Sequence, residues 1–194
     1  MPSVQTTYEA LVGASGIGGR LARVELGDDL GVGSTLGLAA LARVGAVVVV
    51  LSCDTARAMT VSSQAVRHAA LHGASSWCRS LDELCDGVRP SRPGAKEALC
   101  LALSVDLLCV HGIGADELTP WRVAEVLGRV VSTRREDGLP TLLCSPLGTV
   151  SELLEEAAEA GCDASQMASL ASLMGHSVLV DGSWREGVCH GQDE

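Results

Sequence analysis

Phenylalanine is absent from the 194 residues, and Tyr8, Trp77, Trp121 and Trp184 are the whole aromatic complement. A surface that holds single-stranded nucleic acid by stacking needs several aromatic faces, so that mode of binding is poorly supplied. Lysine is almost absent too, Lys96 being the only one. With 24 acidic against 14 basic residues the formal net charge is -10. That balance opposes direct, autonomous binding to DNA, because phosphate neutralisation is the main sequence-independent source of affinity. Any link to nucleic acid is expected to run through a partner protein. No apolar run reaches the roughly 18 residues that cross a bilayer. The eight cysteines show no paired short spacing, and no secretory leader is legible ahead of them. They are read as free thiols of a cytoplasmic protein. Metal is not expected, since the nearest candidate, Cys189 with His190, lacks a second pair. The paired arginines (Arg20 with Arg23, Arg89 with Arg92, Arg134 with Arg135) read as solvated faces and helix-end charges.

What the chain does have is 47% hydrophobic residues, dominated by Leu, Val and Ala, enough for one domain over 1–194 with 1–15 as an extended N-terminal segment. Helical and strand signals alternate. A strand is expected at 21–26, a glycine loop at 27–35, a short helix at 36–43 and a buried strand at 46–51, where four valines run consecutively. Helical spacing follows at 55–72, 80–88 and 95–104, and an apolar strand at 105–110. Thr119 as N-cap and Pro120 at the first helical position open a helix whose apolar face is Val123, Val126, Leu127, Val130 and Val131. The segment 139–144 reads as a strand. Thr149 with Glu152 has capping-box spacing for a helix to Ala160, 166–174 is a weaker helix, 177–180 a strand, and Asp181-Gly182 a hairpin-type turn. The expectation is an α/β fold: a mostly parallel central sheet flanked by helices on both faces.

The loop Gly27-Asp28-Asp29-Leu30-Gly31-Val32-Gly33-Ser34-Thr35 has the glycines and the hydroxyl of a phosphate-binding loop. Together with the strand ending Leu108-Cys109-Val110-His111, the capped helix after it and the strand Leu139-Pro140-Thr141-Leu142-Leu143-Cys144, it resembles the RecA-like core of P-loop NTPases. His111-Gly112-Ile113-Gly114-Ala115-Asp116-Glu117-Leu118-Thr119 looks most like the ImuA and SulA branch of bacterial DNA-damage proteins. The departures matter as much. Thr35 stands where the magnesium hydroxyl belongs, but Ser34 replaces the lysine, and Asp28 with Asp29 puts negative charge where phosphate would lie. The acid expected at the end of the later strand is His111, and Asp116 and Glu117 read as solvent-facing helix-leading acids. The resemblance therefore implies a degenerate site at Asp28, Gly31, Gly33, Ser34, Thr35 and His111, with no cofactor, no metal and no ATPase activity. It implies an adaptor in DNA repair or translesion synthesis, docking alone or as an oligomer onto a repair polymerase-type or RecA-family protein. Tyr8, Trp121 and Trp184 are the candidate interface anchors, because Trp and Tyr carry interfaces disproportionately.

Two alternatives stand beside this. Gly31-Val32-Gly33-Ser34-Thr35, Leu139-Pro140-Thr141 and Ala171-Ser172-Leu173 also resemble DnaC-type helicase loaders, which act in DNA replication; Leu173 occupies the neighbourhood of their arginine. Gly13-Ala14-Ser15-Gly16-Ile17-Gly18-Gly19, with Asp54 as a ribose acid, has the spacing of an NAD(P)-binding Rossmann oxidoreductase. About 27 residues separate those glycines from the strand at 47, roughly twice what one Rossmann helix needs. His68 and His72, one helical turn apart, read as a half-exposed helix face.

Overall fold

The computed structural model describes residues 10, 14–16, 46–115 and 118–181. The expected strand at 21–26, the glycine loop at 27–35, the helix at 36–43, Tyr8, Trp184, Asp116, Glu117 and Gly182 lie outside these residues.

Among the described residues five strands form one sheet: β1 (Val47–Leu51), β2 (Ser76–Ser80), β3 (Leu107–His111), β4 (Thr141–Cys144) and β5 (Val178–Asp181), in the order β2-β3-β4-β1-β5. All four pairings are parallel. The valine run suits β1 to an interior place between β4 and β5, because all five of its positions are buried and a strand covered on both faces has no polar side to offer water. Its side chains alternate between two cores. Val47, Val49 and Leu51 pack with Leu108, Val110 and Leu143, while Val48 and Val50 pack with Cys109, Leu142 and Cys144.

α1 (Thr55–Leu71) covers the second core with Ala58, Val61, Ala65 and Val66. The first core is covered by α2 (Leu81–Val88), α3 (Ala95–Ser104), a π-helix (Arg122–Val131) that continues as α4 (Ser132–Glu136), α5 (Val150–Glu159) and α6 (Ala164–Gly175). Helices thus lie on both faces, as the pattern of apolar residues requires. The π-helix buries the apolar positions the sequence singles out, Val123, Val126, Leu127, Val130 and Val131.

Four of the helix starts are fixed by side-chain caps. Asp54 caps α1, and Ser80 with Glu83 and Asp163 with Gln166 form reciprocal boxes at α2 and α6. At α5 only half of the expected box forms. Thr149 Oγ1 accepts the Glu152 N–H at 3.1 Å, but the Glu152 carboxylate accepts the N–H of Gly148, at 2.7 Å, so its bond reaches one residue further back. β2 is not foreseen by the sequence reading. Its residues Ser76-Trp77-Cys78-Arg79-Ser80 lack a clean apolar alternation, and the strand exists because its register with β3 is complete from Ser76 to Ser80.

Arg134 is a correction of a different kind. It was expected as a solvated charge and is fully buried. Its guanidinium donates to Thr141 Oγ1 at 3.0 Å and to the carbonyls of Ala102, Val105 and Pro140, each at 2.8 Å. Burial draws its pKa down to about 10, against the pull of Cys109 and Asp106. Arg89 and Arg92 do behave as surface charges and share Asp86.

Candidate functional site

The strand order sets where a ligand crevice falls. From β1 the chain leaves through α1 across one face to the far edge at β2, whereas from β4 it leaves through α5 and α6 across the other face to β5. Adjacent strands whose connections diverge in this way open a crevice at their carboxyl ends. The crevice is therefore bounded by the turn after β1, the loop after β4 and the loop after β3.

The turn after β1 is three residues long, Ser52-Cys53-Asp54. A phosphate loop of the GxxxxGK[ST] type has eight positions and presents a row of free amides. Here the first two amides are already engaged. Ser52 N–H donates to the Leu147 carbonyl at 2.7 Å and Cys53 N–H to the Ser145 carbonyl at 2.8 Å. Asp54 Oδ1 accepts the Arg57 N–H at 2.9 Å, so the amino end of α1, the favoured seat for an anion, carries the protein's own carboxylate. The same bond gives Asp54 the role of a helix cap rather than that of a ribose acid.

The neighbouring loops are latched to one another. Ser145 Oγ, fully buried, donates to the Ile113 carbonyl at 2.6 Å and accepts the Leu147 N–H at 3.1 Å, while Ile113 N–H donates to the Cys144 carbonyl at 3.1 Å. Gly114, at φ 80°, lets Leu147 come close: a Cβ there would stand 2.5 Å from Leu147 Cδ1. An apolar side chain thus fills the space beside the loop after β3.

His111 ends β3, in register with Ser80 on one side and Cys144 on the other. It is half-buried, and desolvation holds its pKa below the usual 6.5 although Glu83 opposes the shift. A neutral imidazole occupies the strand end at which a P-loop enzyme keeps its acid. Ser145-Pro146 follows β4, with the Ser145 hydroxyl engaged by Ile113 and Leu147.

The remaining candidates lie elsewhere. Trp121 is half-buried at the margin of the first core with the Arg89 guanidinium 5.5 Å above its ring, so it is not a freely exposed anchor. His68 and His72 meet edge-on at 4.8 Å and, with Asp106, Leu107 and Pro140, line a cleft of about 520 Å³ at the opposite, amino end of the sheet. Among the described residues no three His, Cys, Asp or Glu side chains are arranged to hold a metal ion, and no helix is long and apolar enough to cross a membrane. The residues that sequence reasoning missed are Ser52, Cys53 and Ser145. Their one signal was an Asp N-cap placed directly after a buried strand.

No family model matches the chain, and no curated protein matches it in sequence. Solved structures do. A DNA replication initiation factor superposes with a TM-score of 0.61 at 15% identity over 83% of this chain and 48% of its own. DnaI gives 0.63 at 16% identity over 93% and 94% of the two chains. AMPPCP-bound DnaA from Aquifex aeolicus gives 0.59 at 15% over 83% and 48%. The chain thus spans about half the length of the initiation-factor and DnaA structures and nearly all of DnaI. At these identities the likeness concerns the fold alone, and none of these structures is of the ImuA or SulA branch. What the chain shares with them is the α/β fold of P-loop NTPase domains.

Proposed function

We propose that this chain is a P-loop-fold protein without nucleotide chemistry, which works in the assembly of DNA replication machinery by docking onto a protein partner. The observation that carries the first half is the turn Ser52-Cys53-Asp54, where the amides and helix end that would cradle phosphate are engaged by Leu147, Ser145 and Asp54 itself. The chemistry agrees with it. The only lysine, Lys96, is exposed on α3, and the β3 end offers His111 in place of a carboxylate that would hold magnesium or orient water. The second half is supported by likeness to replication initiators and to DnaI, which favours the helicase-loader alternative over the repair adaptor. The net charge of -10 adds that DNA is reached through the partner.

The test has two arms. Calorimetric titration with magnesium-ATP is expected to give no binding heat, and magnesium-dependent turnover would overturn the silent-site reading. Affinity capture from the native host followed by mass spectrometry is expected to return a replicative helicase or initiator. A repair polymerase or RecA-family protein in its place would move the protein to damage tolerance.

A further inference from the structure

Four free thiols lie on the face of the sheet beneath α1: Cys78 on β2, Cys109 on β3, Cys144 on β4 and Cys53 in the turn after β1, all buried. Cys78 and Cys109 oppose one another in register on neighbouring strands. Cys53 reaches Cys144 by a departure from strand geometry. Val48 and Val50 face α1 while Val47, Val49 and Leu51 face away, so position 52 should face α1 and position 53 should turn from it. Ser52 instead adopts φ 54°, a conformation unfavourable for a residue with a Cβ, and its hydroxyl lies towards Gly148. Cys53 consequently enters the α1-side core, where its N–H bond to the Ser145 carbonyl holds it next to Cys144. The local strain has one visible result: Cys53 and Cys144 lie on the same face of the sheet, at the ends of neighbouring strands.

The surroundings agree with a reactive pair. A hydrogen bond from Cys144 holds the Cys53 thiol below its ordinary pKa, and the same bond with burial raises Cys144. Ser62, fully buried on α1, favours the thiolate forms of Cys78 and Cys144, and its hydroxyl reaches no nitrogen or oxygen partner. Cys53 is next to the exposed Asp54 in a turn, whereas Cys109 sits inside β3 with no exposure. Both pairs are buried, and freedom to move favours Cys53–Cys144, since Cys53 lies in a turn and Cys144 at the end of its strand, whereas Cys78 and Cys109 both lie inside strands.

We propose that Cys53 and Cys144 form a peroxide-reactive thiol pair that closes into a disulfide. The Cys53 thiolate attacks one oxygen of hydrogen peroxide, the O–O bond breaks, and the departing oxygen takes up a proton as water, leaving a sulfenic acid. Cys144 gives up its proton and its sulfur attacks that of Cys53, the S–O bond breaks, and a second water leaves. Two thiols lose two electrons and one peroxide becomes two waters. The bond ties the entrance of α1 to the end of β4 across the crevice.

The test uses the full chain treated with excess hydrogen peroxide, quenched with iodoacetamide and mapped without reduction. The expected product is lighter by about 2 Da before alkylation, and its titratable thiols under denaturing conditions fall from eight to six. The tryptic peptide ending at Arg57 is cross-linked to that beginning at Glu136, with fragmentation placing the bond at Cys53 and Cys144, and dithiothreitol reverses it. Cys144→Ala is expected to leave a sulfenic acid at Cys53 that dimedone traps, and Cys78→Ala to leave the disulfide intact. Oxidation confined to the exposed Cys100, a Cys78–Cys109 cross-link in its place, or an unmodified Cys53 in the unaltered protein would overturn the proposal.

Discussion

The two ends of the sheet treat polar groups in opposite ways. At the amino end a full positive charge, Arg134, is buried and satisfied by four oxygens from α3, the segment after it, and the start of β4. At the carboxyl end the backbone is closed by neutral main-chain bonds, a serine and a leucine, and the half-buried ring of His111 is held towards its uncharged form. P-loop enzymes keep their cationic side chain at the carboxyl end, to meet phosphate. In this chain the buried cation is at the other end, where it serves stability, and the described carboxyl end is a seam between loops.

Breaking the amino end should have the largest effect. Arg134→Met leaves four inward-facing oxygens without a donor, and the expected loss is about 3–5 kcal/mol of unfolding free energy in urea. Arg134→Lys restores the charge but not the planar fork, and should recover less than half of that loss. A smaller loss, about 1–3 kcal/mol, is expected for Ser145→Ala at the carboxyl end, because the Ile113 carbonyl and Leu147 N–H lose their common partner. If Ser145→Ala proved the costlier change, the contrast between the ends would collapse.

Asp54→Ala sharpens the contrast in another way. It should cost about 1 kcal/mol through loss of the α1 cap, and calorimetry should still find no magnesium-ATP binding, since Ser52 and Cys53 remain bonded to the loop after β4. The smallest effect is the pH dependence of His111. Its folded pKa lies below 6.5, so between the two values the unfolded chain binds more protons. Its contribution is intact above the unfolded value and is lost as pH falls through the folded one. The urea midpoint of His111→Asn should accordingly vary less with pH than that of the unaltered protein between about pH 7 and about pH 5. Asp106, held below 3.8 by hydrogen bonds from Ser75, contributes in a lower window and does not obscure the comparison.

Much of the fold was legible because burial and capping leave local marks. The valine run of β1 admits no polar face, and Thr119-Pro120 and Thr149 announce helix starts in three or four residues. β2 left no such mark, since its serines and Arg79 become a strand only through pairing with β3. The role of Arg134 was equally hidden: its four acceptors lie 6 to 32 residues away, and nothing beside it in sequence distinguishes it from the exposed Arg89. The expected loop at 27–35 lies outside the described residues, and the crevice that the strand order defines was not read from the sequence. Glycine spacing drew attention to 27–35, while the turn after β1 contains no glycine and carries its meaning in the bonds of Ser52 and Cys53.

One guanidinium that binds α3, its exit and the first residues of β4 also sets how the protein opens. None of those segments can detach without stranding the donors or acceptors of the others, so they must separate as a unit. Amide hydrogens around 105–108 and 139–142 should then exchange with solvent in a single cooperative step, with one shared opening free energy, rather than by independent fraying.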